Sequence, residues 1–373
     1  MKQYGTVLAS IAGLALAVAP ILAHHSESAQ YDEKKPVTLK GVVTRFEWNN
    51  PHVSIYIDVA ASGGEPTHWL LEFPSTIELR RAGWTRELIN VGDPVTFEGI
   101  LARDGSKQAS ARTITLASGR KLAGVAKQAA LPKATRMTTP RWPDGHPRFN
   151  PLPGETGYWS FPSQLALVES NVSVKMNPDG ILANVADAGK VAPLQPWAKG
   201  LYEYRQKTLL RDDPMTYCLP PGGPRQFHAA NGLFILEEPE RKRIFFMSGG
   251  GNRNWRMVML DGRPLPNVEN ETPGYFGFST GRWDGDTLNI TSTGYNERFW
   301  FSNGGLPHTE SLKLTEKFSR PDFDTLKYEV TIDDAGAYTR PWNSGWTLRW
   351  VAGEEIPEYF CDDNNRNPYQ ATK

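Results

Sequence analysis

The chain of 373 residues holds only two cysteines, Cys218 and Cys361, with no CxxC pair and no Cys–His spacing. That scarcity excludes zinc ribbons and dithiol redox motifs. Net charge is missing as well: 41 Lys and Arg balance 41 Asp and Glu, and no basic run occurs. A neutral chain is not drawn to nucleic acid or an anionic surface by charge. Beyond residue 23 no apolar run is long enough to span a bilayer. Long helical patterns are scarce too, whereas 34 glycines, 29 prolines and 12 tryptophans point to short strands and turns.

What is present begins at the N-terminus. Lys2 supplies a positive start, and Thr6 to Ala23 form an apolar run too short for a transmembrane helix. Ala23 is a small residue suited to the position before cleavage, while a cut after Ala19 would leave Pro20 next. Residues 1–23 therefore read as a signal peptide. The mature protein is expected to start at His24, to be soluble, and to be periplasmic or secreted. In such an oxidising compartment an isolated pair, Cys218 and Cys361, reads as a disulfide; a reactive thiol or metal ligand is the alternative.

The remaining roughly 350 residues suggest two domains on length alone. Residues 24–116 read as one. "VTLKGVVTRFEW", "HVSIYIDV" and "THWLLEF" have strand character, "PSTIELRRAGWTRELI" has helical spacing, and "VGDPVTFEGIL" and "SARTITL" resume strands. Three strands, a helix and two strands is the order of an OB-like five-stranded barrel. Residues 117–165 read as a linker rich in proline and glycine. Residues 166–373 read as a second domain. In it "PWAKGLYEYRQKTL" places Trp197, Leu201, Tyr204 and Thr208 at helical spacing. From Leu233 onward come hairpins spaced as an antiparallel meander. The expected fold class is mainly β: an OB-like barrel, then an antiparallel lipocalin-like β-barrel with one or two helices and room for one small ligand.

Several stretches, "HHS", "EWNNPH", "CLPPGGPRQF", "GRWDGDTLNITSTGYNE", "PHTESLKLTEKF" and "DDAGAYTRPW", resemble a family of exported bacterial proteins. The N-terminal part of that family is a domain of unknown function. The resemblance implies export and a two-part layout, and it brings no activity with it.

Three groups of residues carry candidate chemistry. His24, if it is the mature N-terminus, offers its α-amine and ring nitrogen to one metal, with His25 and His52 as further ligands. Nitrogen ligands of this kind suit copper or zinc; the alternative is a loose arm that binds metal incidentally. "GFSTG" fits the G-x-S-x-G nucleophile pattern at Ser279, but the strand–turn–helix context that motif needs is absent. "SGGGNRN" lacks the Lys-Ser/Thr of a phosphate loop and reads as a loop between strands.

The third group comes from strand parity. Leu312, Leu314 and Phe318 share a face, and Glu316 falls on that apolar face with them. Burial would raise its pKa and suit it to general acid or base work. His308 has the same parity at the strand's start, and Asp334 turns inward at the end of the face made by Leu326, Tyr328, Val330 and Ile332. Tyr338, Arg340 and Trp342 share a side, followed by Trp346 and Trp350. The resulting site would use Glu316, His308, Asp334, Tyr338 and Arg340 for catalysis, with Trp342, Trp346, Trp350, Tyr328 and Asn296 holding the ligand. The alternative is structural: a Glu316–Arg340 ion pair, with Asp334 capping a turn.

Three functions follow. The first is a non-redox enzyme of isomerase, lyase or hydrolase type acting on a small apolar or aromatic molecule. The second is a carrier of such a molecule without chemistry, and the third is a copper- or zinc-binding protein.

Overall fold

The computed structural model describes residues 27–50, 52–124, 138–160, 167–177, 179–227, 232–249 and 254–356, with Glu358, Phe360 and Cys361. Residues 1–23, read above as a signal peptide, His24, His25 and the 250–253 part of "SGGGNRN" lie outside the described residues. The fold is mainly β, in two closed sheets.

The first sheet contains β1 (Tyr31–Glu47), β2 (Val53–Val59), β3 (Thr67–Phe73), β4 (Pro94–Ala102), β5 (Gln108–Leu116) and β6 (Lys121–Ala123). Their order is β3-β2-β1-β4-β5-β6, and β3 also pairs with β5 in parallel, closing a five-strand ring with β6 outside it. Alternation in β2 sends Val53, Ile55 and Ile57 inward, where they meet Leu71, Phe97 and Ile114. Trp84 packs on Phe73 at 5.1 Å and donates its indole N–H to the Ala123 carbonyl at 2.9 Å.

Between β3 and β4 the helical spacing over 74–89 yields only a short helix, Thr76–Arg81. Ser75 and Glu78 start it with a reciprocal capping box. Gly83 ends it: its φ of 84° leaves the helical region, and Arg86–Leu88 form a separate 3₁₀ turn.

The second sheet is a closed barrel. Its strands are β7 (Gly157–Ser160), β8 (Leu233–Glu238), β9 (Arg243–Ser248), β10 (Asn254–Met259), β11 (Phe278–Asp284), β12 (Thr287–Thr293), β13 (Lys313–Asp322), β14 (Thr325–Asp333) and β15 (Trp342–Ala352). They run around the wall in chain order, and β15 returns to β7. The stretch 117–165 thus contributes β6 to one sheet and β7 to the other. One junction departs from the expected antiparallel meander. β10 and β11 are parallel, joined by the crossover 260–277, and register at one pair, Met259 with Thr280.

The interior is filled. Leu314, Glu316 and Phe318 of β13 and Leu326, Tyr328, Val330 and Ile332 of β14 all point inward, as parity predicts. The 3₁₀ segment Gly223–Phe227 is buried throughout and puts the Phe227 ring among them. That ring lies 5.3 Å from Phe246, 5.3 Å from Phe318 and 5.0 Å from Tyr328. The helix Pro196–Lys207 forms where its spacing predicts, but it buries Ala198, Tyr202 and Gln206 and leaves Trp197 and Tyr204 exposed. The reason is polar. Gln206 accepts from Leu182 N and donates to the Gly180 and Gly304 carbonyls, so its face is the one drawn inward.

Among the described residues no helix is long and apolar enough to cross a membrane. Cys218 and Cys361 form the expected disulfide, with Cα atoms 5.5 Å apart and a sequence separation of 143. Closing so long a loop restricts the unfolded chain strongly. Reduction, or Cys218→Ser with Cys361→Ser, should therefore lower stability by up to about 5 kcal/mol, read as a drop in urea midpoint. An unchanged midpoint would contradict this.

Candidate functional site

Glu316 is fully buried in mid-barrel, where parity puts it, but its partner is not Arg340. Arg256, on β10, is buried beside it and forms a bidentate ion pair: Nη1 donates to Oε1 at 3.0 Å and Nη2 to Oε2. Tyr328 Oη donates to Oε1 at 2.9 Å. Arg256 also donates from Nε to Ser279 Oγ at 2.9 Å and from Nη2 to Ser292 Oγ at 2.6 Å. The two serine hydroxyls are 3.0 Å apart. Burial works against the Arg256 charge, but Glu316 more than offsets it and the pKa ends above the ordinary arginine value. Burial, reinforced by Glu316, raises the Tyr328 pKa, and burial pushes Tyr295 up to about 12. Both carboxylate oxygens of Glu316 are engaged, so the geometry is that of a structural pair.

The other predicted catalytic residues divide into a buried turn and one outlier. Asp334 accepts from Thr309 N at 2.7 Å, Thr309 Oγ1 at 2.6 Å and Gly336 N at 3.1 Å. It caps the turn, and its oxygens are used there. Tyr338 donates to the Pro307 carbonyl at 2.8 Å, and burial raises its pKa well above the ordinary value. His308 is buried against Phe299, ring centroids 4.2 Å apart, with its two nitrogens facing the Thr309 and Phe299 carbonyls at 3.3 and 3.2 Å. Burial lowers its pKa. These three residues meet at one end of the barrel and hold the 307–309 segment in place.

Arg340 is the correction. It is exposed and pairs with Glu169 at 2.7 Å, outside the barrel. The chain between the bridge at Tyr338 and the start of β15 at Trp342 is not a strand, and Pro341 interrupts it. Alternation therefore does not hold across Arg340.

The predicted ligand-binding residues are spread rather than convergent. Trp342 packs on Tyr338 at 5.3 Å, Trp346 on Tyr328 at 4.7 Å and Trp350 on Trp159 at 5.1 Å, along the length of β15. All are core. Asn296 turns inside its own loop, accepting from Arg298 N at 3.0 Å.

Ser279 lies within β11, not at a strand-to-helix turn, and its partners are Arg256 and Ser292. The glycines that complete the G-x-S-x-G pattern have packing reasons. A Cβ on Gly277 would sit 2.4 Å from the Thr293 carbonyl oxygen, and one on Gly281 would sit 2.9 Å from Leu260. Gly281 is what lets β11 approach β10.

Open space lies outside this interior. A groove of about 860 Å³ follows the β10–β11 seam beneath the crossover. Trp255, Met257, Tyr275, Phe276 and Phe278 give it apolar walls, and Arg263, Glu271, Thr272 and Thr280 are among its polar lining residues. A second depression of about 580 Å³, between Phe234, Leu236 and Met247, also reaches Asn254. A third, of about 430 Å³, opens at the far end of the barrel around Glu237, Trp142, His146 and Trp283. Among the residues lining these spaces only Ser279 stands out in the sequence. Arg256 alone leaves a trace, as a charged residue at an inward position of "NWRMVML".

His52 is half-buried, its Nδ1 facing the Phe73 carbonyl at 3.3 Å and Glu72 Oε1 at 3.4 Å. Among the described residues no three His, Cys, Asp or Glu side chains gather closely enough to hold a metal ion.

The class is thus a mainly β chain with a ring and a filled closed barrel. Residues 12–111, the stretch that includes most of the ring, match the Family of unknown function (DUF6152). No curated protein matches the chain.

Breaking the buried pair from one side, as in Arg256→Met or Glu316→Gln, should cost about 3–5 kcal/mol. Arg256→Met with Glu316→Leu should recover most of that loss in a denaturant titration. A double variant as unstable as the singles would contradict a purely structural pair. For His308 the native state binds its proton less readily than the unfolded chain, whose value is near 6.5. Stability should therefore rise with pH through the window below 6.5, and His308→Phe should flatten that slope in melts between about pH 5 and 7. An unaltered slope would assign the pH dependence elsewhere.

Proposed function

We propose that this is an exported protein that binds a small apolar or aromatic molecule, and that the groove on the β10–β11 seam is its site. The observation that carries this reading is the composition of the groove. Aromatic and methionine side chains supply most of its walls, and a few polar residues line it with them. That is the usual build of a small-molecule site, and its volume lies in the usual range. Trp255 is 57% exposed and Met257 37%, so large apolar side chains stand open there. Binding is favoured over acid–base chemistry at Glu316 because Arg256 and Tyr328 occupy that carboxylate.

The test is titration with the neutral fluorophore N-phenyl-1-naphthylamine. Saturable 1:1 binding is expected, weakened at least about tenfold, or about 1.4 kcal/mol, by Met257→Asp. Unsaturable binding, or binding indifferent to that change, would remove the groove from consideration. Native mass spectrometry of protein exported by a bacterial host should show an organic adduct.

A second reading has its own observation. Tyr31 Oη donates to Glu72 Oε2 at 3.0 Å, while His52 lies against Glu72 Oε1. One carboxylate thus joins the first strand to His52, and a carboxylate beside a histidine ring is a common way to orient a metal ligand. With cleavage after Ala23, His24 would lie seven residues before Tyr31, a span that reaches at most roughly 25 Å. Copper or zinc held by His24, His25 and His52 would then require a free terminal amine. One residue added before His24 should abolish tight copper binding in a competition assay. Equal binding by the extended form would rule out the terminal amine.

A further inference from the structure

The cavity at the β8–β9 end of the barrel contains a buried carboxylate, Glu237, that forms no ion pair among the described residues. Glu237 points inward from β8 and is 7% exposed. Its Oε2 accepts from Phe149 N at 2.6 Å and Asn150 N at 2.9 Å; neither of these bonds uses Oε1. Among the described residues it forms no ion pair, whereas its neighbour Glu238 has Arg241 and Arg243. Arg148, the nearest arginine along the chain to those donors, acts on Glu237 through its charge but forms no ion pair with it. Its guanidinium stacks over Trp142 at 4.1 Å and donates to Asn150 Oδ1 at 2.7 Å.

The other charges around the cavity are already met. Arg243 pairs with Glu238, Asp261 with Arg263, and Asp144 lies 3.2 Å from His146. Lys242 remains at the exposed turn, where solvent screens it. The walls are aromatic: Trp142, and Trp283 with the His146 ring stacked on it at 4.9 Å. The indole N–H of Trp142 is buried and faces the Glu237 carboxylate. The hairpin that carries Trp142 and His146 is clamped to the barrel by the bidentate Arg141–Asp286 pair. The enclosure is therefore built rather than incidental.

We propose that this cavity binds a small organic cation, a protonated amine whose N–H groups meet the Glu237 carboxylate and whose body packs against Trp142. A buried carboxylate that meets two backbone N–H groups and the Trp142 indole, but forms no ion pair, is costly, and a charge-assisted bond from a bound cation is the natural offset. Aromatic walls favour cations further. A proton competes with the amine for the same group. Burial holds the Glu237 pKa above the ordinary carboxylate value, so affinity falls as the solution is acidified toward that range.

The experiment is calorimetric titration of the full chain with benzylamine, and with benzyl alcohol as its uncharged counterpart. Benzylamine stays protonated at every pH used. It should bind 1:1, at least about tenfold tighter than the alcohol, and lose affinity as pH is lowered from 7 toward 5. Glu237→Gln, which keeps an oxygen acceptor for the two backbone N–H groups, should reduce benzylamine to the level of the alcohol. If that variant does not fold, Lys242→Met decides instead, because removing a like charge at the rim should tighten benzylamine. Equal binding of amine and alcohol, no binding of either, or indifference to both substitutions overturns the proposal. Benzylamine should not displace N-phenyl-1-naphthylamine, so the outcome is independent of the seam groove.

Discussion

The barrel depends on one buried ion pair. Eight of its nine junctions are antiparallel, most of them over several residues, but β10 and β11 meet in parallel at one register pair. Arg256 crosses that weak seam from the inside. Its guanidinium reaches Ser279 on β11, Ser292 on β12 and Glu316 on β13, and Tyr328 on β14 joins through the carboxylate. A chain of charge-assisted bonds over five strands holds the junction that backbone pairing leaves thin.

That arrangement decides where a ligand can go. A pair at mid-barrel, with Phe227 inserted beside it, leaves the interior packed with side chains rather than hollow. Space survives only where the packing is interrupted, along the seam under the crossover and at the mouth around Glu237. The opposite mouth is closed, because Asp334, Tyr338 and His308 use their polar atoms to fix the 307–309 segment. The same chemistry that would serve catalysis here secures a turn.

Much of the fold is legible along the chain. Alternation identifies β2 and the inward faces of β13 and β14 residue by residue, and the two cysteines pair as their isolation suggests. The Pro196 helix is legible in extent but not in facing, since Gln206 is drawn inward by three backbone partners that lie far off in sequence. β11 is hidden because Gly277 and Gly281 disguise a strand as a loop. Of the candidate site, Glu316 is found at its true depth, yet Arg340 fails because Pro341 ends the alternation on which its placement relied.

By itself the sequence determined which residues of β2, β13 and β14 face the core, because a period of two is a local property of extended backbone. It also determined the mainly β class and the cysteine pair. Only the tertiary structure decided that Glu316 meets Arg256, that Phe227 fills the barrel, and that Glu237 ends in a cavity with no ion pair among the described residues. Those facts depend on which distant segments converge, and apart from the cysteine pair neither spacing nor composition singles out such contacts, as between Arg256 and Glu316, 60 positions apart.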